Sequence, residues 1–191
     1  MQDEKRANGR GRADVWKGLV AGLVGGLVAS WTMNQFQAVW SGVAEGFEKP
    51  HGAQSMKPSE GEATSRTAED KEEQDDATVK AARAVSEGVF GHELEESEKE
   101  AAGAVVHYAF GTAVGGLYGA VAELSPEVTA GAGVPFGAAF WLVADETAVP
   151  LLGLAKGPTE YPVSTHAYAL ASHLVYGLTA ELVRRTVRNA L

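Results

Sequence analysis

Four stretches of this chain carry almost no charge: residues 18–33, 101–122, 128–144 continuing to 155, and 161–180. About 20 predominantly apolar residues are needed for one helical crossing of a bilayer. The chain-wide averages conceal these runs. Hydrophobic residues make up 45 % and the mean hydropathy is -0.10, because one very polar segment dilutes the four apolar ones. The expected fold class is all-α, an integral membrane four-helix bundle.

The runs are related in pairs. Tyr118-Gly119-Ala120-Val121-Ala122-Glu123-Leu124 has a second copy in Tyr176-Gly177-Leu178-Thr179-Ala180-Glu181-Leu182. Gly22, Gly26, Asn34 and Gln35 fall at the same spacing as Gly133, Gly137, Asp145 and Glu146. This pattern predicts a duplicated two-helix hairpin, with a pseudo-twofold axis along the membrane normal. The predicted layout is a basic tail over residues 1–14, then a first span over 15–43. An acidic, largely disordered loop follows over 44–97, with a short amphipathic helix near 77–90. The remaining spans are expected over 98–124, 126–152 and 163–191.

The formal net charge of -9 sits almost wholly in the inserted loop, where residues 43–100 hold 16 acidic against 7 basic side chains. Glu, Ser, Thr, Gly and Lys dominate it, with few large apolar groups to offset the entropy of ordering. Its amphipathic part would place Val79, Ala82, Val85 and Val89 or Phe90 on one side, to lie on the membrane or cap the bundle. Lys5, Arg6, Arg10, Arg12 and Lys17 precede the first span, and Arg184, Arg185 and Arg188 follow the last. Positive residues near span ends favour the cytoplasmic side. Both termini are therefore expected inside and the acidic loop outside. The first run is long and ends in Asn34-Gln35-Phe36-Gln37, which favours a retained span over a cleaved leader.

Local signals agree with helices. Trp16 and Trp40 are about 36 Å apart on a helix, the span between two membrane interfaces. Gly18, Gly22 and Gly26 form one small-residue ridge, Gly111, Gly115 and Gly119 a second, and Gly133 with Gly137 a third. Such ridges let helices approach closely in lipid. Ser97 to Glu100 has capping-box spacing. Pro126 suits a first helical position, and Pro150 should kink or end the third helix.

Ionisable groups inside a span are costly and suggest function. The candidates are His107, Asp145, Glu146, His166 and His173, joined by uncharged Asn34 and Gln35. Under the expected topology all but His173 lie toward the outer leaflet. Three readings stand open for this cluster. It is a polar network that fixes helix register, a proton- or ion-handling site, or a metal or haem site using His107 and His166. Glu123 and Glu181 read as interfacial partners of the arginines. With no cysteine, disulfides and thiolate sites are excluded. No phosphate loop, nucleophile elbow or zinc-protease signature is present, so a non-enzymatic protein without a cofactor is expected.

Val149-Pro150-Leu151-Leu152-Gly153-Leu154, His173-Leu174-Val175 and the run from Glu181 to Asn189 resemble the YagU family of small bacterial inner-membrane proteins. His107 and the Ala122-Glu123-Leu124-Ser125-Pro126 turn fit the same likeness, which covers residues 101–191. The acidic 52–76 segment and the Asp145-Glu146 pair depart from the family pattern. The resemblance implies a bacterial inner-membrane location and a link to acid tolerance, and it carries no catalytic residues. The expected function is thus a membrane protein of envelope or pH homeostasis. A small dimeric transporter or channel using the His/Asp/Glu cluster is the first alternative, and a membrane metal- or haem-binding protein the second. The expected partners are the lipid bilayer and a second copy docked through the glycine ridges, with no nucleic acid.

Overall fold

The computed structural model describes residues 14–43 and 75–191. The expected basic tail, apart from Asp14, and the acidic loop over residues 44–74 lie outside the described residues. Among the described residues the chain is helical, with no strand. Helix α1 runs Val15–Val43, α2 Ala77–Val85, α3 Glu96–Leu124, α4 Val134–Val143 and α5 Val163–Ala190. Three segments are long and apolar enough to cross a membrane: Val15–Gly42, Glu96–Leu124 and Pro126–Leu151.

Burial follows from glycine. α1 and α3 run antiparallel with backbone against backbone. A Cβ added at Gly22 would lie 2.9 Å from Gly119 Cα, and one at Gly26 would lie 3.0 Å from Gly115 Cα. Gly18 meets Gly119 and Glu123, and Gly111 meets Ser30. The same contact recurs between α4 and α5, where Gly133 and Gly137 meet Gly177 and the His173 carbonyl. All three ridges are therefore used inside one chain. α5 also packs along α1, where Gly25 approaches the Ala180 carbonyl. The core between them is Ala29, Met33, Tyr176 and Ala180, covered by Phe136 and Phe140. Leu27, Trp31, Phe110, Leu117 and Leu142 point outward and are at least half exposed. Such side chains cost about 1.5–3 kcal/mol each to leave in water, and the cost vanishes against lipid tails, which are equally apolar.

Three boundaries differ from expectation. α3 starts at Glu96, ahead of Ser97. Glu95 is its cap, with Glu98 returning a 2.9 Å bond to the Glu95 N–H. α2 is followed by a π turn over Ser86–Phe90 that ends at Gly91 with φ 64. The wider turn swings Val89 and Phe90 off the packing face. Only Ala77, Val79 and Ala82 are buried, and Val85, Val89 and Phe90 are exposed.

The third difference is larger. The expected helix over 126–152 is broken into a 3-10 stretch Pro126–Gly133, α4, a π turn Ala144–Ala148 and a last turn Val149–Leu151. Two prolines cause the breaks. Pro135 would clash with the carbonyl four residues earlier in a continuous helix, and Ala130, Gly131 and Ala132 leave helical geometry just there. Gly133 accordingly precedes α4, with φ 83. Ala132 holds φ 55, a left-handed conformation that costs a non-glycine residue roughly 1–2 kcal/mol. Ala132→Gly is expected to stabilise the protein by about 1 kcal/mol after the glycine's own chain entropy is subtracted. A thermal midpoint that falls would show that the Ala132 methyl contributes more than the strain costs.

Candidate functional site

The site is assembled by Pro150. Proline has no N–H to offer the carbonyl of Glu146, and the helix widens into a π turn directly before it, with Val149 N–H bonded to the Ala144 carbonyl. π turns of this kind concentrate at functional sites. This one holds Asp145 and Glu146, which line one pocket with His166 and His173 of α5. The pocket has a volume of about 50 Å³ and lies between α1, the π turn, α5 and the 153–162 loop.

His166 is gripped from both sides. Its Nδ1 is 2.6 Å from Glu146 Oε1, and its Nε2 is 2.9 Å from the Pro158 carbonyl oxygen. A carbonyl can only accept, so Nε2 carries a hydrogen and donates it. Nδ1 then faces a carboxylate across a distance that requires one more proton, held by the imidazole or by the acid. The pair is a single proton site with both side chains mostly buried. One level further in, His173 Nδ1 donates to the Ala169 carbonyl at 2.9 Å, with Asp145 Oδ2 at 3.6 Å. His173 is 2 % exposed. Its ring meets Phe140 edge-on at 5.0 Å, and Phe140 packs in turn on Phe136 and Tyr176.

The other candidates are placed as follows. His107 is buried on α3, edge-on to Tyr108 at 5.4 Å. It lies near His173 and Asp76. His107 Nε2 and Ser30 Oγ are buried without a hydrogen-bond partner among the described residues. Asn34 donates to Tyr108 Oη at 3.1 Å. Gln35 points outward and is exposed, whereas Gln37, two residues on, is buried and lines the pocket. The cluster thus divides into Glu146–His166, Asp145–His173 and Asn34–Tyr108, with His107 among them.

At the opposite end of the bundle, Glu181 is fully buried. It accepts from Arg184 at 2.7 and 2.9 Å, from Arg185, and from Tyr118 Oη at 3.0 Å. Glu123 pairs with Arg188 at 2.5 and 3.1 Å. Glu181 is therefore a core residue where an interfacial one was expected, because Tyr118 and the Gly133–Gly177 contact enclose it.

Among the described residues no group of three or more His, Asp or Glu is arranged to hold a metal ion. Both nitrogens of His166 are engaged in hydrogen bonds. Chemically the arrangement can hold and release protons. Sequence reasoning missed Tyr108, Ser30 and the Pro158 carbonyl. Only Tyr108 left a signal, since it stands 58 residues before His166, the same offset that relates Tyr118 to Tyr176.

No curated protein and no solved structure matches the chain. A family model does, over residues 66–182, a stretch that takes in α2, α3, α4 and most of α5 with the whole pocket apart from its α1 wall. The chain belongs to that family, DUF1440, described as a protein of unknown function.

Proposed function

We propose that this chain is a four-span membrane protein that senses or buffers protons at the Glu146–His166 pair, in envelope pH homeostasis and without enzymatic activity. The observation that carries the reading is the 2.6 Å carboxylate–imidazole contact whose other nitrogen is already committed to a carbonyl. The contact needs its shared proton. On the acidic side the proton is present and ties the π turn, α5 and the 153–162 loop together. As pH rises through the pair's titration the proton leaves, a carboxylate faces a bare nitrogen, and the tie is lost.

Three observations support four spans built as two hairpins. α5 has 28 residues, about 42 Å of helix. Its polar side chains His173, Tyr176 and Glu181 are turned into the protein, so a span this polar is shielded from lipid. The glycine crossing of α1 with α3 is repeated by α4 with α5 at equivalent positions. Both termini then lie on one side, and the arginines of α5 favour the cytoplasmic side of a bacterial inner membrane for it. The likeness to the YagU family points to the same location and to acid tolerance. Behind His173 the rings of Phe140, Phe136 and Tyr176 pack against one another, which favours a one-sided proton site over a transporter or channel.

The chain has no cysteine, so a spin label on Thr159→Cys reports the loop cleanly. Its mobility is expected to rise with pH in the otherwise native chain and to be independent of pH in Glu146→Gln. The latter is also expected to lose about 1.5–3 kcal/mol, the worth of a charged hydrogen bond, on the acidic side. A loop that moves equally with pH in both proteins rules the proton site out.

A further inference from the structure

We infer that Asn34–Tyr108 is a second, proton-silent copy of the Glu146–His166 site, brought into register by the π turn. The inference rests on the proposed doubling of the hairpin and on the proton reading of Glu146–His166.

The register is fixed by contacts. Gly22 meets Gly119, and 111 and 58 residues later Gly133 meets Gly177. Gly26 meets Gly115, and the same offsets give Gly137 against His173. α5 holds its offset throughout, so Tyr108 corresponds to His166. A constant offset on the other strand would match Asn34 to Asp145. However, a π turn inserts one residue into a helix, and this one begins at Ala144. Beyond it the offset becomes 112, and Asn34 corresponds to Glu146. The two equivalent pairs are the two that bond: Asn34 Nδ2 to Tyr108 Oη at 3.1 Å, and Glu146 Oε1 to His166 Nδ1 at 2.6 Å. One arm of the doubled fold therefore closes with an amide and a phenol, and the other with an acid and a base. The same shift pairs Asp145 with Met33, and the constant offset pairs His173 with Gly115 and His107 with Thr165, so of the ionisable candidates only His107 belongs to the first arm.

The surroundings decide what each copy feels. Asp145 and His173 line the Glu146–His166 pocket from the π turn and α5, Lys156 and Tyr161 from the loop, and Gln37 from α1, which adds no charge. The Asn34–Tyr108 pair has His107 beside it on α3, and His107 in turn lies near Asp76 of α2 and His173 of α5. An acid and an imidazole installed at residues 34 and 108 would thus sit in a buried polar setting of similar composition.

The experiment exchanges the pairs in the full chain, in lipid nanodiscs, and counts imidazoles that share a proton by nitrogen-15 NMR of the histidines across pH. The native chain is expected to show one such imidazole. Asn34→Glu with Tyr108→His is expected to show two, and Tyr108→His alone to show one. Glu146→Asn with His166→Tyr is expected to show none and to keep the native thermal midpoint, since the first arm already holds that pair in that geometry. The inference is overturned if the imidazole at residue 108 titrates identically with and without the acid at residue 34. It is equally overturned if the reverse exchange is less stable than His166→Tyr alone, a result that stands even where the first exchange fails to fold. A native chain with no shared-proton imidazole counts against the proposed function instead, and the stability of the reverse exchange still judges the equivalence.

Discussion

Replacing Glu181 by alanine is expected to destabilise the protein by about 3–5 kcal/mol, the loss seen when one partner of a buried ion pair is removed. The size follows from what remains. Arg184 is nearly as buried as Glu181 itself, and its guanidinium has Glu181 as its carboxylate at both 2.7 and 2.9 Å. Tyr118 Oη would lose its acceptor in the same step. Arg185 provides the contrast. Its side chain is 49 % exposed, so Arg185→Ala is expected to cost about 1 kcal/mol or less. Thermal unfolding in one detergent, for both variants beside the native chain, separates the two. Equal losses would mean that the Glu181 cluster is wet and that the burial assigned to it is wrong.

Gly115→Val should be as damaging for a different reason. A Cβ there would lie 2.5 Å from Gly26 Cα and 2.6 Å from the Gly22 carbonyl oxygen. Both are backbone atoms of a 29-residue helix and cannot step aside, so α1 and α3 must separate along their length. The expected loss is about 3 kcal/mol or more, at or beyond the upper end for overpacked cores. The neighbouring Gly116→Ala is the control. Its added carbon meets the Leu23 side chain at 2.7 Å, which can rotate, and alanine returns about 1 kcal/mol of helix propensity. A near-native midpoint is expected for Gly116→Ala. A Gly115→Val protein that unfolds with the native midpoint would contradict the backbone contact of α1 with α3.

These two residues also show what could be read from the sequence. The ridge containing Gly115 was legible because small residues every fourth position have few other uses in a long apolar helix. Its partner was not legible, since a glycine ridge serves a neighbour in the same chain or in another equally well. Glu181 was legible as a partner of arginine, but its burial was not. Burial depends on Tyr118 reaching across from α3 and on α4 closing over Gly177. The Asp145-Glu146 position was found through the repeat, while its pairing was obscured. Pro150 was expected to kink or end a helix, and a π turn precedes it that holds Glu146 against His166. Offset arithmetic from sequence assumes regular helices and passes over such a turn. α5 shows the converse limit. Its polar residues His173, Tyr176 and Glu181 are buried inside the bundle, which average hydropathy does not register and only the packing reveals.

The number of crossings is the point on which the sidedness of the proposed proton site depends, and single cysteines in this cysteine-free chain report it directly. Cysteines placed at His92, Ser125, Lys156 and Asn189 in turn would be exposed to a membrane-impermeant maleimide on intact cells and again after permeabilisation. Four crossings predict labelling at 92 and 156 from outside, and at 125 and 189 only after permeabilisation. If the cysteine at 189 instead labels from outside together with the one at 156, α5 does not cross, and the doubled four-span bundle is wrong.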